Sequence, residues 1–244
     1  MTTTKPRRDG VGATFPRPLT TVDVAIFSVR NDELQVLLVQ RPSEPGEPFP
    51  GQWALPGGFV DVTRDSTLQA CAARKLNEKT GVASPYLEQL GSWGGATRDP
   101  RGWSSTHVYF ALLAADELQL SKGANAADVG WFAADRLPAR TRLAFDHALI
   151  LAAAVERLRS KVEYTSLPAF LLPEPFTLPQ LQHAYEVVLG RPVDKSGFRT
   201  RMLAADFLLE TGQLATDAKR PPMGYRLKDR SAPALFPRTF SPRA

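Results

Sequence analysis

Two blocks of apolar positions lie near the start of the chain. Residues 22–29 (VDVAIFSV) and 34–39 (LQVLLV) are rich in β-branched and aliphatic side chains, and the polar tetrad Arg30-Asn31-Asp32-Glu33 separates them. That is the pattern of a β-hairpin. A loop rich in Pro and Gly follows over residues 42–56, where neither a strand nor a helix period is sustained. Residues 66–80 lack Gly and Pro and are dense in Ala, Leu and long charged side chains, which predicts a helix stopped by Gly81. Further apolar runs at 86–93, 106–114 and 129–132 read as strands, and 145–159 as a second helix. The sum is a mixed α/β domain.

A second pattern begins beyond it. Thr177 can cap a helix over 178–189 that stops at Gly190, and Asp194 can cap another reaching about Ala205, with Phe198, Met202 and Leu203 on one face. Residues 208–210 and 225–227 then read as short strands around a loop that carries Lys219 and Arg220. Helix, turn, helix and β-wing is the outline of a winged helix-turn-helix. The expected division is an arm over 1–18, a first domain over 19–160, a Pro-rich linker over 161–175, the winged helix over 176–230 and a tail over 231–244.

Charge sharpens the distinction between the halves. The formal net charge is +5, yet residues 191–244 hold 11 Lys and Arg against 5 Asp and Glu, whereas residues 1–190 hold 19 against 20. A basic end beside a neutral body points to a polyanion as partner of the second domain. The single cysteine, Cys71, rules out an internal disulfide and a cysteine-built zinc site. No apolar run is long enough for a membrane span, and the basic N-terminus lacks the apolar stretch of a signal peptide, so a cytoplasmic location is expected.

The candidate chemistry of the first domain lies in Leu55-Pro56-Gly57-Gly58-Phe59-Val60-Asp61 and, on the helix, Arg74-Lys75-Leu76-Asn77-Glu78-Lys79-Thr80-Gly81-Val82. This combination resembles the Nudix box: Gly, five residues, Glu, seven residues, then Arg-Glu-apolar-any-Glu-Glu-any-Gly-apolar. The box gathers carboxylates because magnesium is a hard cation that takes oxygen ligands. Here the glycines, Arg74, Leu76, Glu78, Gly81 and Val82 match, but Lys75 and Lys79 stand at acidic positions. The stretch from Gly58 to Arg74 is two residues longer than the motif, and Arg64, Asp65 or Ser66 falls near its first glutamate. Two ammonium groups spaced i to i+4 repel a divalent cation, so no metal site and no catalytic residue are assigned and magnesium is not expected. Asp61 and Asp65 remain as spare carboxylates, Asp65 with a helix-entry role.

Residues 98–103 (RDPRGW) and 143–147 (LAFDH) also resemble stretches of Nudix proteins that handle ADP-ribose. The candidate effector site is therefore Arg41, Gly57, Gly58, Phe59, Glu78, Arg98, Arg101 and Trp103. The arginines offer fork-shaped donors to phosphate or ribose, and Trp93, Trp103, Phe49 or Trp53 could stack on adenine. His147 reads as a hydrogen-bonded helix residue. In the second domain the candidate DNA contacts are Lys195, Ser196, Arg199, Thr200 and Arg201 on the second helix and Lys219, Arg220 and Arg226 on the wing. Arg7 and Arg8 of the arm are candidates for a minor groove.

A Nudix-like domain with a degraded box followed by a winged helix, including the second-helix pattern of residues 193–203 (VDKSGFRTRML), resembles the NrtR family of Nudix-related regulators of NAD metabolism. The resemblance implies a Nudix fold plus winged helix, a homodimer on a near-palindromic double-stranded operator at NAD biosynthesis or salvage genes, and ADP-ribose or a related nucleotide as effector. Two other readings remain. One is an active ADP-ribose pyrophosphatase that uses Glu78, Asp61 and Asp65, with an accessory C-terminal domain. The other is a DNA-binding protein whose Nudix domain only dimerises.

Overall fold

The computed structural model describes residues 17–81, 86–115, 126–138, 141–214, 221–237 and 239–240. The expected arm with Arg7 and Arg8, and the wing residues Lys219 and Arg220, lie outside the described residues.

The hairpin forms where the apolar blocks predicted it. Strands β1 (Leu19–Arg30) and β2 (Glu33–Gln40) pair antiparallel, and Asn31 and Asp32 between them adopt φ of 51° and 59°. Positive φ at both central residues matches the right-handed twist of the flanking strands, and Asn and Asp tolerate it best after Gly. Short strands β3 (Trp53–Ala54) and β4 (Gly57–Phe59) join β2 and β1 respectively. Strand β5 (Tyr86–Gly95) pairs antiparallel with β6 (Ser104–Leu112), which lies parallel to β1, and β7 (Asp128–Ala133) pairs with β2.

Helices cover both faces of this mixed sheet. Helix α1 (Leu68–Thr80) is capped by Thr67, whose Oγ1 accepts from the Ala70 amide at 3.0 Å, and ends at Gly81 with φ 70°. Alternate β1 residues Val22, Val24 and Ile26 meet its Cys71, Ala72 and Leu76. Ala25 and Phe27 point the other way, into a cluster with Ile150, Leu151, Ala154 and Leu158 of helix α2 (His147–Val162). Burial on both faces is why residues 22–29 read as a nearly unbroken apolar run. Burying each large side chain stabilises by about 1.5–3 kcal/mol.

The C-terminal unit has the expected outline. A capping box between Thr177 and Gln180 opens helix α3 (Leu178–Leu189), which closes at Gly190 with φ 67°. Asp194 caps helix α4 (Lys195–Ala204) through a 2.7 Å bond from the Gly197 amide, and strands β8 (Leu208–Gln213) and β9 (Met223–Leu227) form the wing.

Two expectations are corrected here. Residues 161–175 are no linker: α2 runs through Val162, a 3-10 turn spans Leu167–Leu171, and Leu167, Ala169 and Phe170 have no solvent exposure. Pro at the start of a turn suits a 3-10 geometry but erases any sequence period, so burial there was hidden. The described part of the expected tail, residues 231–237 and 239–240, is packed against the fold as well. Ser166 and Ala234 exchange backbone and side-chain bonds, Phe236 N–H donates to Tyr164 O at 2.7 Å, and the Phe236 and Phe240 rings are buried. One core cluster thus runs from Ala25 and Phe27 to Tyr185, Phe198 and Phe240. Polar contacts reinforce the join, including His183 Nε2 to Asp32 Oδ1 at 2.9 Å and Arg159 Nε to Val188 O at 2.9 Å.

Candidate effector and DNA-binding sites

The Gly57-Gly58 loop lies directly against β1. A Cβ on Gly57 would sit 1.9 Å from Asp23 Oδ1 and 2.5 Å from Val22 O, so only glycine lets the loop pair there. Behind it Asp23 is 6% exposed and accepts from Thr106 Oγ1 at 2.7 Å. Leu55 N–H donates to His147 Nδ1 at 2.9 Å, which leaves Nε2 as the protonated nitrogen, 3.5 Å from Asp23 Oδ2. Burial alone would raise the Asp23 pKa, but His147, Thr106 and the nearby Arg98 outweigh it and hold it below the ordinary value. His147 is a hydrogen-bonded helix residue, as its sequence context implied. Asp23 was missed because it sits inside an apolar strand run and matches no motif position.

On α1 the box carboxylates are occupied by cations. Glu78 lies 2.9 Å from Arg74 Nη1, 3.8 Å from Lys75 Nζ and 4.0 Å from Arg64 Nη2. Asp65 does not serve helix entry, a task that falls to Thr67. Its side chain is 1% exposed and both oxygens accept from Arg74, at 2.7 and 2.6 Å. Those hydrogen bonds hold the Asp65 carboxyl far below the usual range. Asp61 Oδ1 accepts from the amide and hydroxyl of Thr63, at 3.0 and 2.6 Å. Lys79 is buried, which pushes its amine down. Lys75 leans back over the loop: a Cβ on Gly58 would lie 3.0 Å from its Nζ. The magnesium that the Nudix fold implies needs several free carboxylate oxygens on this face, and these residues do not fit it.

The candidate arginines fall into two neighbouring groups. Arg41 donates to Pro48 O and Glu47 Oε2, each at 2.7 Å, and its guanidinium lies 5.0 Å from the Phe145 ring. Arg98, only 8% exposed, makes a bidentate pair with Asp146 at 3.0 and 2.7 Å and lies 6.0 Å from the same ring. Phe49 meets Phe145 edge-on at 4.7 Å. Arg101 grips Asp99 at 3.0 and 2.8 Å and lies 5.1 Å over Phe59, beside the glycine loop. Trp103 is 53% exposed and close to Gly94, so it retains a free face for stacking. Trp53 instead packs at 4.6 Å on Phe132 against the core. Phe145, Asp146 and Asp99 were absent from the candidate set, although all three lie within the stretches that carried the family resemblance.

The second candidate site is the outer face of α4. Phe198 and Met202 are buried, while Lys195, Ser196, Arg199 and Thr200 are exposed together, as is Arg226 on β9. Arg201 does not belong with them. Its Nη2 donates to Thr239 O at 2.9 Å and its guanidinium lies 4.0 Å from the Phe240 ring, so it faces the C-terminal segment. Counting residues along the helix put Arg201 beside Thr200; an aromatic more than thirty residues downstream redirects it.

Known proteins share both halves. Residues 19–154 match the NUDIX domain family and residues 168–227 the family described as the NrtR DNA-binding winged helix domain. The chain is also 47% identical to the ADPR responsive transcriptional repressor NtrR of Acinetobacter baylyi, over 92% of this chain and 88% of that protein. The chain belongs to the NrtR family. Shewanella oneidensis NrtR complexed with a 27mer DNA superposes with a TM-score of 0.79 at 44% identity, covering 90% of this chain and 98% of that one. The NUDIX domain of that NrtR complexed with ADP ribose gives a TM-score of 0.53 at 42% identity, covering 62% of this chain and 94% of that one. The NrtR winged-helix match ends at residue 227, so the segment that holds Arg201 lies beyond it.

Proposed function

We propose that this chain is a DNA-binding transcriptional repressor of NAD biosynthesis or salvage genes, acting as a homodimer. Its Nudix-fold site takes ADP-ribose or a related nucleotide as effector and does not hydrolyse it. The observation that carries the reading is the box helix, where Lys75 crosses the glycine loop and Glu78 lies within 4.0 Å of three cationic side chains. A fixed ammonium there neutralises a diphosphate without the metal that hydrolysis needs. The operator is read by Lys195, Ser196, Arg199 and Thr200, with Arg226 on flanking phosphate.

The guanidiniums of Arg41 and Arg98 are already paired with Glu47 and Asp146. A diphosphate competes with those carboxylates for the same forks. Because Asp146 is the first residue of the α2 entry, an exchange of partner at Arg98 alters how α2 begins. Release of DNA is then a population shift, with a coupling of about 1–3 kcal/mol between the two ligands.

Calorimetric titration of ADP-ribose in EDTA, paired with a gel shift on the promoter of an adjacent NAD gene, tests the proposal. Binding without metal and loss of the shifted band are expected. Magnesium-dependent release of AMP, abolished by Glu78→Gln, would instead establish a pyrophosphatase.

A further inference from the structure

Residues 234–237 and 239–240 tie the end of α2 to α4. At one end they run antiparallel to the residues just after α2. Ser166 N–H donates to Ala234 O at 3.0 Å, Phe236 N–H to Tyr164 O at 2.7 Å, and Phe240 N–H to Glu163 O at 3.1 Å. At the other end they pack on the winged helix. Phe240 stacks on Phe198 of α4 at 6.0 Å with 27° between the rings, and meets Tyr185 of α3 at 5.1 Å. Arg201, also on α4, covers the outer face of Phe240 and donates to Thr239 O. Arg191, in the turn before α4, reaches the same junction, pairing with Glu163 at 2.6 Å and donating to Phe240 O.

We infer that residues 234–237 and 239–240 form a coupling strap, and that Phe240 of the strap and Arg201 of α4 are positioning residues that set the recognition helix relative to α2. The inference rests on the proposed function, since it is α2 that begins at the effector site. Its N-terminal end carries Asp146, paired with Arg98, and His147, which accepts from Leu55 N–H. Its C-terminal end is Glu163, where strap, α2 and the turn before α4 meet. A cleft of about 630 Å3 lies beside that half of α2, lined by Val155, Arg159 and Glu163 with Asp135 and Leu189 opposite. Arg159 bridges that cleft, donating to Asp135 at 2.6 Å and to Val188 O at 2.9 Å.

The chemistry of Arg201 makes the strap separable from a DNA contact. A guanidinium that stacks on an aromatic face and bonds a carbonyl is not replaced by lysine, whereas a phosphate contact largely is. Removing a phosphate contact also lowers the slope of log K against log salt by about one, and removing a positioning contact does not.

The full-length Arg201→Lys and Phe240→Leu variants test this through operator affinity across a salt series, ADP-ribose affinity, and the ratio of operator affinities without and with ADP-ribose. Both variants are expected to keep ADP-ribose affinity, to weaken operator binding by roughly tenfold at an unchanged salt slope, and to lower the ratio. Phe240→Tyr, which keeps the ring, is expected to restore both operator affinity and ratio. Wild-type operator binding in Arg201→Lys, or a salt slope reduced by one in Arg201→Gln, would overturn the inference by making Arg201 a DNA contact. If the wild-type chain binds operator but not ADP-ribose, the effector reading fails, while the effect of the variants on operator affinity still tests the strap.

Discussion

Lys75 carries most of what distinguishes this site from a metal-dependent one, because its amine crosses Gly58 at the place where carboxylates would gather a cation. Lys75→Glu restores the acidic box position beside Glu78. ADP-ribose affinity in EDTA is expected to fall at least tenfold, about 1.4 kcal/mol, and to recover in part when magnesium is added. Titration calorimetry with and without the metal measures this, and unchanged affinity in EDTA would remove Lys75 from the site. Asp65 offers a test of the loop itself. Asp65→Asn breaks a bidentate charged pair at a side chain that is 1% exposed, which costs about 1–3 kcal/mol and lowers Tm by roughly 3–10 °C. Because Arg74 depresses the folded-state pKa of Asp65, the pair stabilises fully above about pH 4 and is lost as pH falls further. The Tm gap between wild type and variant is therefore expected to narrow in acid. The substituted box positions were plain in the sequence. The polar trio behind the glycine loop was not, because Asp23 meets Thr106 only through the β1–β6 pairing and meets His147 only where helix α2 packs on the sheet.

Helices were the most legible elements, since their ends are written in local chemistry. Thr177 with Gln180, Asp194, Gly81 and Gly190 all cap where their side chains or φ angles predict. The exposed face of α4 gives a prediction at this scale. Lys195→Ala and Arg199→Ala are each expected to weaken operator binding, and whichever residue contacts phosphate will reduce the salt slope by about one. A residue that reads a base edge will instead cost about 1–3 kcal/mol at one operator position and relax specificity there. Filter-binding across salt and operator variants distinguishes them, and wild-type binding in both would move the interface away from α4. What escaped the sequence were the segments without a period. Pro168 interrupts residues 161–175, and Phe236 and Phe240 lie in a Pro-containing stretch, so only the tertiary contacts of their rings show them to be core.

At the scale of the molecule, charge and composition drew a boundary that packing does not respect. The cluster that includes Phe27, Leu158, Phe170, Tyr185 and Phe240 belongs to both halves at once. Thermal unfolding followed by calorimetry is accordingly expected to give one transition with equal calorimetric and van't Hoff enthalpies, and two separable transitions would contradict the shared core. Helix α2 contributes Ile150, Leu151, Ala154, Val155, Leu158 and Val162 to that core. Its sixteen residues make a rod of about 24 Å, anchored at one end beside Arg98 and at the other beside Arg191. A tilt of roughly five degrees at the first end carries the second through about 2 Å, more than half the ~3.4 Å rise between successive base pairs. Leverage of that order lets an adjustment too small to disturb the sheet put a reading head out of register with its site.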